Sequence, residues 1–419
     1  MKLGKAIKKG AEALLIPLLL LFGTRLFAAV DPSGEASPRS APSVFASAVM
    51  VMDAETGAIL YAKNPDLVIP PASLTKLVTL HIVYEEIAAG RLSKDEIVTI
   101  DKRDCSPYIP YGSSLMYLKP GMRVSIIDLM RGAAVVSGND AAFALARRVC
   151  GSNEAFAARM NAAVHELGLS DLYFVEPSGL SELNRATARS YAEFCRIYMR
   201  LHPEALGELH SLRYIEFPRI EHSTPDFHPT ASIIQHNVNN LIRTYPGCDG
   251  LKTGYIIEAG YNLAATAKRG STRFIVVTLG GSGSGSSLGG SAQRSRDGVS
   301  LLDWSFASFV TMRPDLGPLP SPRTWYGAKE RVALEPESPL AVTLPCSLAP
   351  FLEARVDLPV SLDAPLRKGQ PIGEVVYSAQ GKVIRRVNLV AAEEDPKGNI
   401  LILIRDAFAK LFATILGRD

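Results

Sequence analysis

The sequence predicts a mixed α/β (α+β) fold, in which helices combine with a sheet, followed by a small all-β domain. Two hairpin-like patterns, at residues 47–63 and 251–281, enclose a long stretch whose apolar residues recur every three to four positions. The strands of one sheet should therefore come from both ends of this region. From Trp325 to about Glu394, short apolar runs alternate with turn residues, which is typical of a separate β domain.

The composition is that of a globular protein whose excess positive charge lies in its N-terminal segment. The chain has 419 residues, of which 47% are hydrophobic and 21% charged, and its formal net charge is +3. At roughly 100–200 residues per domain, this length corresponds to two or three domains. Residues 1–29 hold five basic side chains and one acidic one, a charge of +4, so the remainder carries 3 − 4 = −1. This balance does not favour a nucleic-acid partner.

Residues 1–29 have the features of an export signal. Four lysines precede an apolar run at 13–23, and the small residues Ala28 and Ala29 follow as a cleavage site. The run is shorter than the ~20 residues of a spanning helix, although an uncleaved N-terminal anchor is the alternative. In either case the body of the protein works outside the cytoplasm.

The next elements follow from turn residues and periodicity. Residues 30–42, rich in Pro and Ser, read as a linker. A hairpin with its turn at Asp53–Gly57 comes next, and a helix starts after Pro70 and Pro71. The later predictions are helices at 125–150 and 152–167, strands within 251–281, a flexible Gly/Ser loop at 280–291 and a helix at Arg294–Phe309.

The C-terminal part is predicted as a linker at 313–324, an all-β domain at 325–398 and an amphipathic helix at 399–419. Apolar residues of this helix fall three or four positions apart, at Leu401, Ile404, Phe408, Leu411, Phe412 and Ile415. Charged residues interrupt the run at Arg405, Asp406, Lys410 and Arg418, so the helix is not expected to span a bilayer. It could lie on a membrane surface, or it could pack on its own β domain or a partner.

Ser73 and Lys76 belong to the first candidate catalytic motif, SLTK. A serine hydroxyl is a poor nucleophile unless a base takes its proton, and residues three apart share a helix face. Lys76 could therefore act as the base that takes the proton of Ser73. Alone, the pair is also compatible with a solvated helix start.

Ser137, Gly138 and Asn139 form the second motif, a hydroxyl and a carboxamide on a short turn before an apolar helix. Both residue types favour helix N-caps, so capping is the alternative reading of this motif.

Lys252, Thr253 and Gly254 form the third motif, at the start of a β pattern. The first two residues supply a cation and a donor, and Gly254 lets a ligand approach the backbone. A turn before a strand is the alternative.

Together, the three motifs resemble those of a known family. They occur in the order SxxK, SxN, KTG, with gaps of 137 − 73 = 64 and 252 − 137 = 115 residues. The chain resembles the low-molecular-mass penicillin-binding D-alanyl-D-alanine carboxypeptidases over nearly all of residues 43–419. The stretches PPASLTKLVT, PSGLSELNRATAR and CDGLKTGY support this resemblance. It implies a serine β-lactamase/DD-peptidase-like catalytic domain at 43–312, with an antiparallel sheet and helices.

The resemblance also implies roles for individual residues. Ser73 would be the nucleophile and Lys76 its base, while Ser137 and Asn139 would relay protons and orient the substrate amide. Lys252 would bind the terminal carboxylate of the substrate.

The same resemblance extends to the rest of the substrate site. Thr253 would help to bind the carboxylate, and Gly254 belongs to the same strand. The backbone N–H groups of Ser73 and Tyr255 would form the oxyanion hole. Relatives often carry His where this chain has Tyr255, a change that leaves a backbone role intact. Arg294 would assist with the carboxylate, and Arg296 is a rival for that role.

The expected reaction is removal of the terminal D-alanine from peptidoglycan pentapeptide stems through an acyl-enzyme on Ser73, with a role in peptidoglycan maturation and cell shape. β-Lactams would be covalent inhibitors, and no metal or organic cofactor is expected. The family implies attachment to the outer, periplasmic face of the inner membrane. The histidines match no zinc motif, and the five cysteines form neither a disulfide framework nor a CxxC site.

Three rival functions remain at this point. A class A β-lactamase carries a glutamate in Glu-x-x-Leu-Asn, where this chain has Leu180. A non-catalytic wall-binding protein would more naturally have lost Ser73 or Lys76. A transpeptidase usually carries a larger accessory architecture, although some transfer or endopeptidase activity stays compatible with the sequence.

Overall fold

The computed structural model describes residues 40–283 and 289–415, with side chains described up to Phe412. The predicted signal at 1–29, most of the linker at 30–42, and Arg418 lie outside the described residues. The helices are α1 (Lys76–Ala88), α2 (Ile126–Val135), α3 (Asn139–Cys150), α4 (Asn153–Glu166), α5 (Ala188–Leu201), α6 (Leu241–Thr244), α7 (Gly289–Ser308) and α8 (Ile400–Ile415). The strands are β1 (Ala48–Asp53), β2 (Ile59–Lys63), β3 (Ile97–Thr99), β4 (Arg123–Ser125), β5 (Tyr214–Glu216), β6 (Ile234–His236), β7 (Cys248–Ile256), β8 (Gly260–Arg269), β9 (Thr272–Gly281), β10 (Phe309–Met312), β11 (Arg323–Trp325), β12 (Leu334–Pro336), β13 (Val342–Pro345), β14 (Leu352–Asp357), β15 (Ser361–Asp363), β16 (Pro371–Ala379) and β17 (Lys382–Ala391).

A five-stranded antiparallel sheet in the order β2-β1-β9-β8-β7 forms the centre of the first region. Its N-terminal strand β1 pairs with β9, more than 200 residues later in the chain, in a register that sets Ala48 opposite Leu279. The predicted mixture of helices with a sheet built from both ends of the region is confirmed. Strand β7 lies at one edge, so its outer backbone groups are free of strand partners within the sheet.

Both faces of this sheet are covered, which explains why β1 is apolar at successive positions. Met50 and Met52 point into a core shared with α1–α5, whereas Val49 and Val51 point into a second core with α7. Because side chains alternate across a strand, a strand buried on both faces needs a continuous apolar run.

The region predicted as helical at 125–150 is two helices, separated at the short turn that was predicted for the second motif. Helix α2 ends at Val135 and α3 begins at Asn139. Between them Ser137 has a φ of 61°, a left-handed conformation that a continuing helix does not allow. The break places the second motif on a sharp, buried turn.

The Gly/Ser stretch at 280–291 is not a loop throughout. Gly280 and Gly281 complete β9, and α7 begins at Gly289, five residues before the predicted helix start at Arg294. Residues 284–288 lie outside the described residues. At the other end, Phe309 begins strand β10 rather than closing the helix.

The C-terminal part contains a four-stranded sheet in the order β12-β17-β16-β14, with the pairs β10–β13 and β11–β15. Side chains of this part contact the hairpin turn that follows β1. Thr311 donates a hydrogen bond to Asp53, and the hydroxyls of Thr56 and Thr343 lie 2.6 Å apart.

Helix α8 turns its polar side toward the β strands and its apolar side away. Buried Asp406 accepts a hydrogen bond from the Tyr326 backbone N–H at 2.8 Å, and Lys410 pairs with Asp363 at 2.7 Å. The exposed apolar side chains of the helix are Ile400, Leu401, Ile404, Phe408, Leu411 and Phe412. Within residues 40–283 and 289–415, no helix has both the length and the apolarity needed to cross a membrane.

Candidate active site

Ser73 and Lys76 lie where a short 3₁₀ turn, Ala72–Thr75, continues into α1. Ser73 is partly accessible, whereas the Lys76 side chain is completely buried. The three-residue spacing on this turn brings the two side chains together, and Lys76 Nζ donates to Ser73 Oγ at 3.0 Å. The predicted pairing of these two residues is therefore present in the geometry.

Two further oxygens fix the position of the Lys76 amine. Nζ lies 2.6 Å from Asn139 Oδ1 and 2.6 Å from the Ser178 carbonyl oxygen. Both are carbonyl oxygens, which accept hydrogen bonds and cannot donate them. When Lys76 loses a proton, the hydroxyl of Ser73 is therefore the one partner of the three that can donate to the free electron pair.

The pKa of Lys76 is lowered to about 7. Burial lowers it, because the charged amine loses its hydration, while the negative charges of Glu176 and Asp140 oppose the shift. A base with a pKa near the working pH is partly unprotonated yet still accepts a proton readily.

Ser137 and Asn139 are both buried on the turn between α2 and α3. Gly138 takes the N-cap position of α3, and no side chain caps this helix end. The capping interpretation of the motif is wrong, because Asn139 directs its carboxamide oxygen to Lys76 instead. The turn thus joins the first two motifs through Lys76 and Asn139, which are 63 residues apart in sequence.

Asp140 supports this turn and was missed by the sequence analysis. Its buried carboxylate accepts hydrogen bonds from the backbone N–H groups of Met116 at 2.8 Å and Leu118 at 3.0 Å. Burial raises the pKa of Asp140, although these backbone donors oppose the shift. The loop before β4 is thereby fixed beside the motif. No sequence pattern signalled this, since the partners are backbone groups of a loop.

Glu176 organises the opposite wall and was also missed. Its carboxylate accepts from the backbone N–H groups of Ser178 and Gly179, both at 2.7 Å. This orients the Ser178 carbonyl toward Lys76. Gly179 has a φ of 86°, and a Cβ there would lie 1.9 Å from the Ala72 carbonyl oxygen. The stretch PSG contained the available signal, a glycine required by close backbone approach.

Lys252 lies on edge strand β7, with a side chain only 1% exposed. Its Nζ donates to the Thr253 carbonyl oxygen at 3.1 Å. Burial and the positive charges of Lys76 and Arg294 hold the pKa of Lys252 well below its ordinary value. An anion bound beside Lys252 would relieve this repulsion, so the site is suited to a carboxylate.

Gly254 allows β7 to pass close to the nucleophile. A Cβ at this position would lie 2.8 Å from the Pro71 carbonyl oxygen and 3.1 Å from the Ser73 backbone nitrogen. Tyr255 follows directly, with its exposed ring 4.4 Å from that of Tyr261. The backbone of β7 therefore lies beside the backbone N–H of Ser73.

Of the two candidate arginines, Arg294 lies in the site. Its guanidinium donates to the Gly254 carbonyl oxygen at 3.4 Å and lies 5.8 Å from the centre of the Tyr261 ring. Burial lowers the pKa of Arg294 to about 10. Arg296, two residues further along α7, is exposed and does not line the cleft.

Several of the residues described above line an open cleft of about 510 Å³. Among its walls are Ser73, Ser137, Asn139, Thr253, Gly254, Tyr255 and Arg294. Leu180 also lines the cleft, at the position where a class A β-lactamase would carry its glutamate. Within the described part of the chain, no three His, Cys, Asp or Glu side chains are grouped as a metal site would require.

Comparison with known proteins identifies the family. Residues 35–283 match the family model described as D-alanyl-D-alanine carboxypeptidase. This chain belongs to that family. Residues 320–397 match a second model, the C-terminal domain of penicillin-binding protein 5.

Among relatives, the D-alanyl-D-alanine carboxypeptidase DacD of Salmonella typhimurium is 34% identical over 93% of this chain and 96% of its own length. DacC of Escherichia coli is 34% identical over 91% of this chain and 90% of its own length. The crystal structure of penicillin-binding protein 5 from Haemophilus influenzae has a TM-score of 0.73 and 33% identity, covering 85% of this chain and 99% of that one. An ampicillin-bound penicillin-binding protein D2 from Listeria monocytogenes has a TM-score of 0.52 and 29% identity over 63% of this chain and 100% of that one.

The predicted family, fold class and enzymatic activity are confirmed. The chain is a serine-type D-alanyl-D-alanine carboxypeptidase that acts in peptidoglycan metabolism, with an α/β catalytic region followed by an all-β domain.

Proposed function

We propose that the carboxypeptidase reaction proceeds through an ester on Ser73, with neutral Lys76 as the base. Lys76 takes the hydroxyl proton while Ser73 Oγ forms a bond to the carbonyl carbon of the penultimate D-alanine. The peptide bond then breaks, and the leaving amine of the terminal D-alanine takes up a proton. The single observation that carries this proposal is that Ser73 is the one partner of Lys76 Nζ able to donate a proton to it.

Ser137 and Asn139 have supporting roles in this proposal. Ser137 lies on the cleft wall and relays the proton from Lys76 to the leaving amine. Asn139 holds Lys76 through its side-chain oxygen and orients the substrate amide. Water then attacks the ester carbonyl and gives its proton to Lys76, and Lys76 returns this proton to Ser73 Oγ as the ester bond breaks.

The positive end of the cleft binds the substrate carboxylate. Lys252 and Arg294 supply the charge, Thr253 supplies a hydroxyl, and Gly254 keeps the strand clear for the approaching ligand. The N–H groups of Ser73 and Tyr255 stabilise the negative oxygen of the tetrahedral intermediate. Hydrogen bonds to a charged carboxylate are about twice as strong as neutral ones, so a C-terminal amide should be a poor substrate.

The same chemistry explains covalent inhibition by β-lactams, which place a reactive amide next to a carboxylate. Rapid hydrolysis of the resulting ester is not part of the proposal, because the position of the β-lactamase glutamate is occupied by Leu180. Glu176 does not replace that glutamate, since backbone donors of the adjoining loop occupy its carboxylate.

We place the enzyme on the periplasmic face of the inner membrane, exported by the segment 1–29 and attached through α8. Support comes from the orientation of this helix. Its polar residues Asp406 and Lys410 are docked on the β domain, which leaves a continuous apolar face uncovered. Such a face can enter the boundary between lipid headgroups and acyl chains. Removal of residues 399–419 should release the protein from vesicles without loss of activity on a soluble peptide.

The test of the catalytic proposal is mass spectrometry with penicillin together with a D-alanine release assay. The wild-type protein should gain the mass of one intact lactam on the peptide containing Ser73 and should release D-alanine from a peptide ending in D-Ala-D-Ala. Ser73→Ala should lose both properties and Lys76→Ala should be acylated far more slowly at neutral pH. Labelling that persists in Ser73→Ala would refute the assignment of the nucleophile.

A further inference from the structure

Charged side chains of both signs line the cleft, with Arg294 as the positive one. Glu258 lies on the turn between β7 and β8, and it is the only acidic residue among the described residues that line the cleft. Its side chain is exposed. Across the described residues, Glu258 makes no ion pair. The mechanism above gives this residue no part.

The direction of the bound peptide follows from the site, a step that rests on the proposed function. With the terminal carboxylate at Lys252 and the reacting carbonyl beside the N–H of Tyr255, the substrate runs antiparallel to the free edge of β7. Residues that precede the reacting carbonyl therefore continue past Tyr255 toward Ile257 and Glu258. An extended chain advances about 3.3 Å per residue, so the residue before the D-Ala-D-Ala pair reaches the end of β7.

Two neighbours of Glu258 suit a long side chain with a charged tip. Tyr255 and Ile257 line the cleft and are both exposed. The methylene groups of a lysine-like side chain can lie along such apolar surface while the ammonium stays in water. Glu258 follows Ile257 directly in the chain and lines the same cleft.

We propose that Glu258 recognises a side-chain ammonium on the residue that precedes the D-Ala-D-Ala pair. The enzyme would then recognise two charged groups of the stem peptide. Lys252 would bind the terminal carboxylate, and Glu258 would bind a free amine on a diamino acid. Because the pair is exposed to water, its contribution is to selectivity rather than to the chemical step.

The test compares three soluble peptides that share Nα-acetyl-L-Lys-D-Ala-D-Ala and differ at the lysine Nε: free amine, acetyl and succinyl. The wild-type kcat/KM should fall in that order, by about two- to fivefold per step at low ionic strength, as expected for an exposed ion pair. Added salt should reduce the differences. Glu258→Gln should remove the preference between the amine and acetyl peptides, and Glu258→Lys should favour the succinyl peptide.

Glu353→Gln is the matched control, since it makes the same charge change at an exposed position on β14, outside the cleft. Penicillin acylation measures folding and basal chemistry in every variant. Equal rates on the three peptides with the wild type, or an unchanged order with Glu258→Lys, would overturn the role of Glu258 and leave the proposed function intact. If the wild type releases D-alanine from none of the three peptides, both the role of Glu258 and the proposed function are overturned.

Discussion

Replacing Asn139 by aspartate should move the pH dependence of acylation to higher pH. In the wild type, Asn139 Oδ1 lies 2.6 Å from Lys76 Nζ, and the pKa of Lys76 is lowered to about 7. Asn139→Asp keeps the shape of the side chain but places a negative charge at this distance. An opposite charge so close favours the protonated amine and should raise the pKa of Lys76 by about 1–3 units.

The size of the effect follows from the fraction of Lys76 that is neutral. Below its pKa, a base loses about tenfold in neutral fraction per pH unit. Wild-type acylation should thus fall about tenfold per unit below pH 7, provided that the neutral amine is the base. In Asn139→Asp, the rate at pH 7 should drop by roughly 5- to 500-fold and recover as the pH rises toward 9 or 10.

The assay is the second-order rate constant for acylation by a fluorescent penicillin between pH 5 and 10. Asn399→Asp is the control, since Asn399 is exposed and its side-chain oxygen accepts from backbone N–H groups at the start of α8, a role that aspartate can fill. A loss in Asn139→Asp that is the same at every pH, with an unshifted midpoint, would show that Lys76 is not the titrating base.

Three further variants test the site and its supports. Lys252→Met should abolish turnover yet raise the melting temperature, because a buried lysine with a lowered pKa costs stability. This gain in melting temperature should be largest at low pH and shrink as the pH rises toward the ordinary lysine pKa. A gain that is the same at every pH would contradict this explanation. Arg294→Ala should raise KM for a peptide carboxylate more than Arg296→Ala, and equal kinetic effects of the two would exclude Arg294 from carboxylate binding. Gly179→Ala should lower acylation by more than tenfold, because the left-handed backbone and the Ala72 carbonyl leave no space for a methyl group, and wild-type acylation would show that the loop can move away.

The sequence motifs contain the residues that the fold brings together, but they did not reveal the contacts that hold these residues in place. Motif spacing identified Ser73, Lys76 and Asn139, because each motif is a local signal of three or four residues. The contributions of Asp140 and Glu176 depend on backbone N–H groups of loops that are distant in sequence or irregular in conformation. No periodicity encodes such contacts, so they become visible only in the folded chain.

The errors in the predicted secondary structure also arise from contacts and backbone conformations that a local pattern does not encode. The helical prediction for 125–150 ran across the short turn that the second motif indicated, and neither pattern showed that Ser137 adopts a left-handed backbone. Glycine and serine suggested a loop at 280–291, yet tertiary packing places Gly290 on α7, where a Cβ would lie 1.9 Å from the Tyr261 ring. A composition typical of flexible loops is there a requirement of close packing.

Helix α8 shows how far a periodic pattern can be interpreted. The three-to-four spacing predicted which residues share a face, but the direction of that face depends on contacts with the β domain. Asp406 is 1% exposed at a backbone N–H of Tyr326, and such a buried carboxylate is costly to release from its partners. An amphipathic helix in a soluble protein normally buries its apolar side. Here polar contacts hold the opposite side inward, so an apolar environment outside the protein is what would complete the burial of the helix.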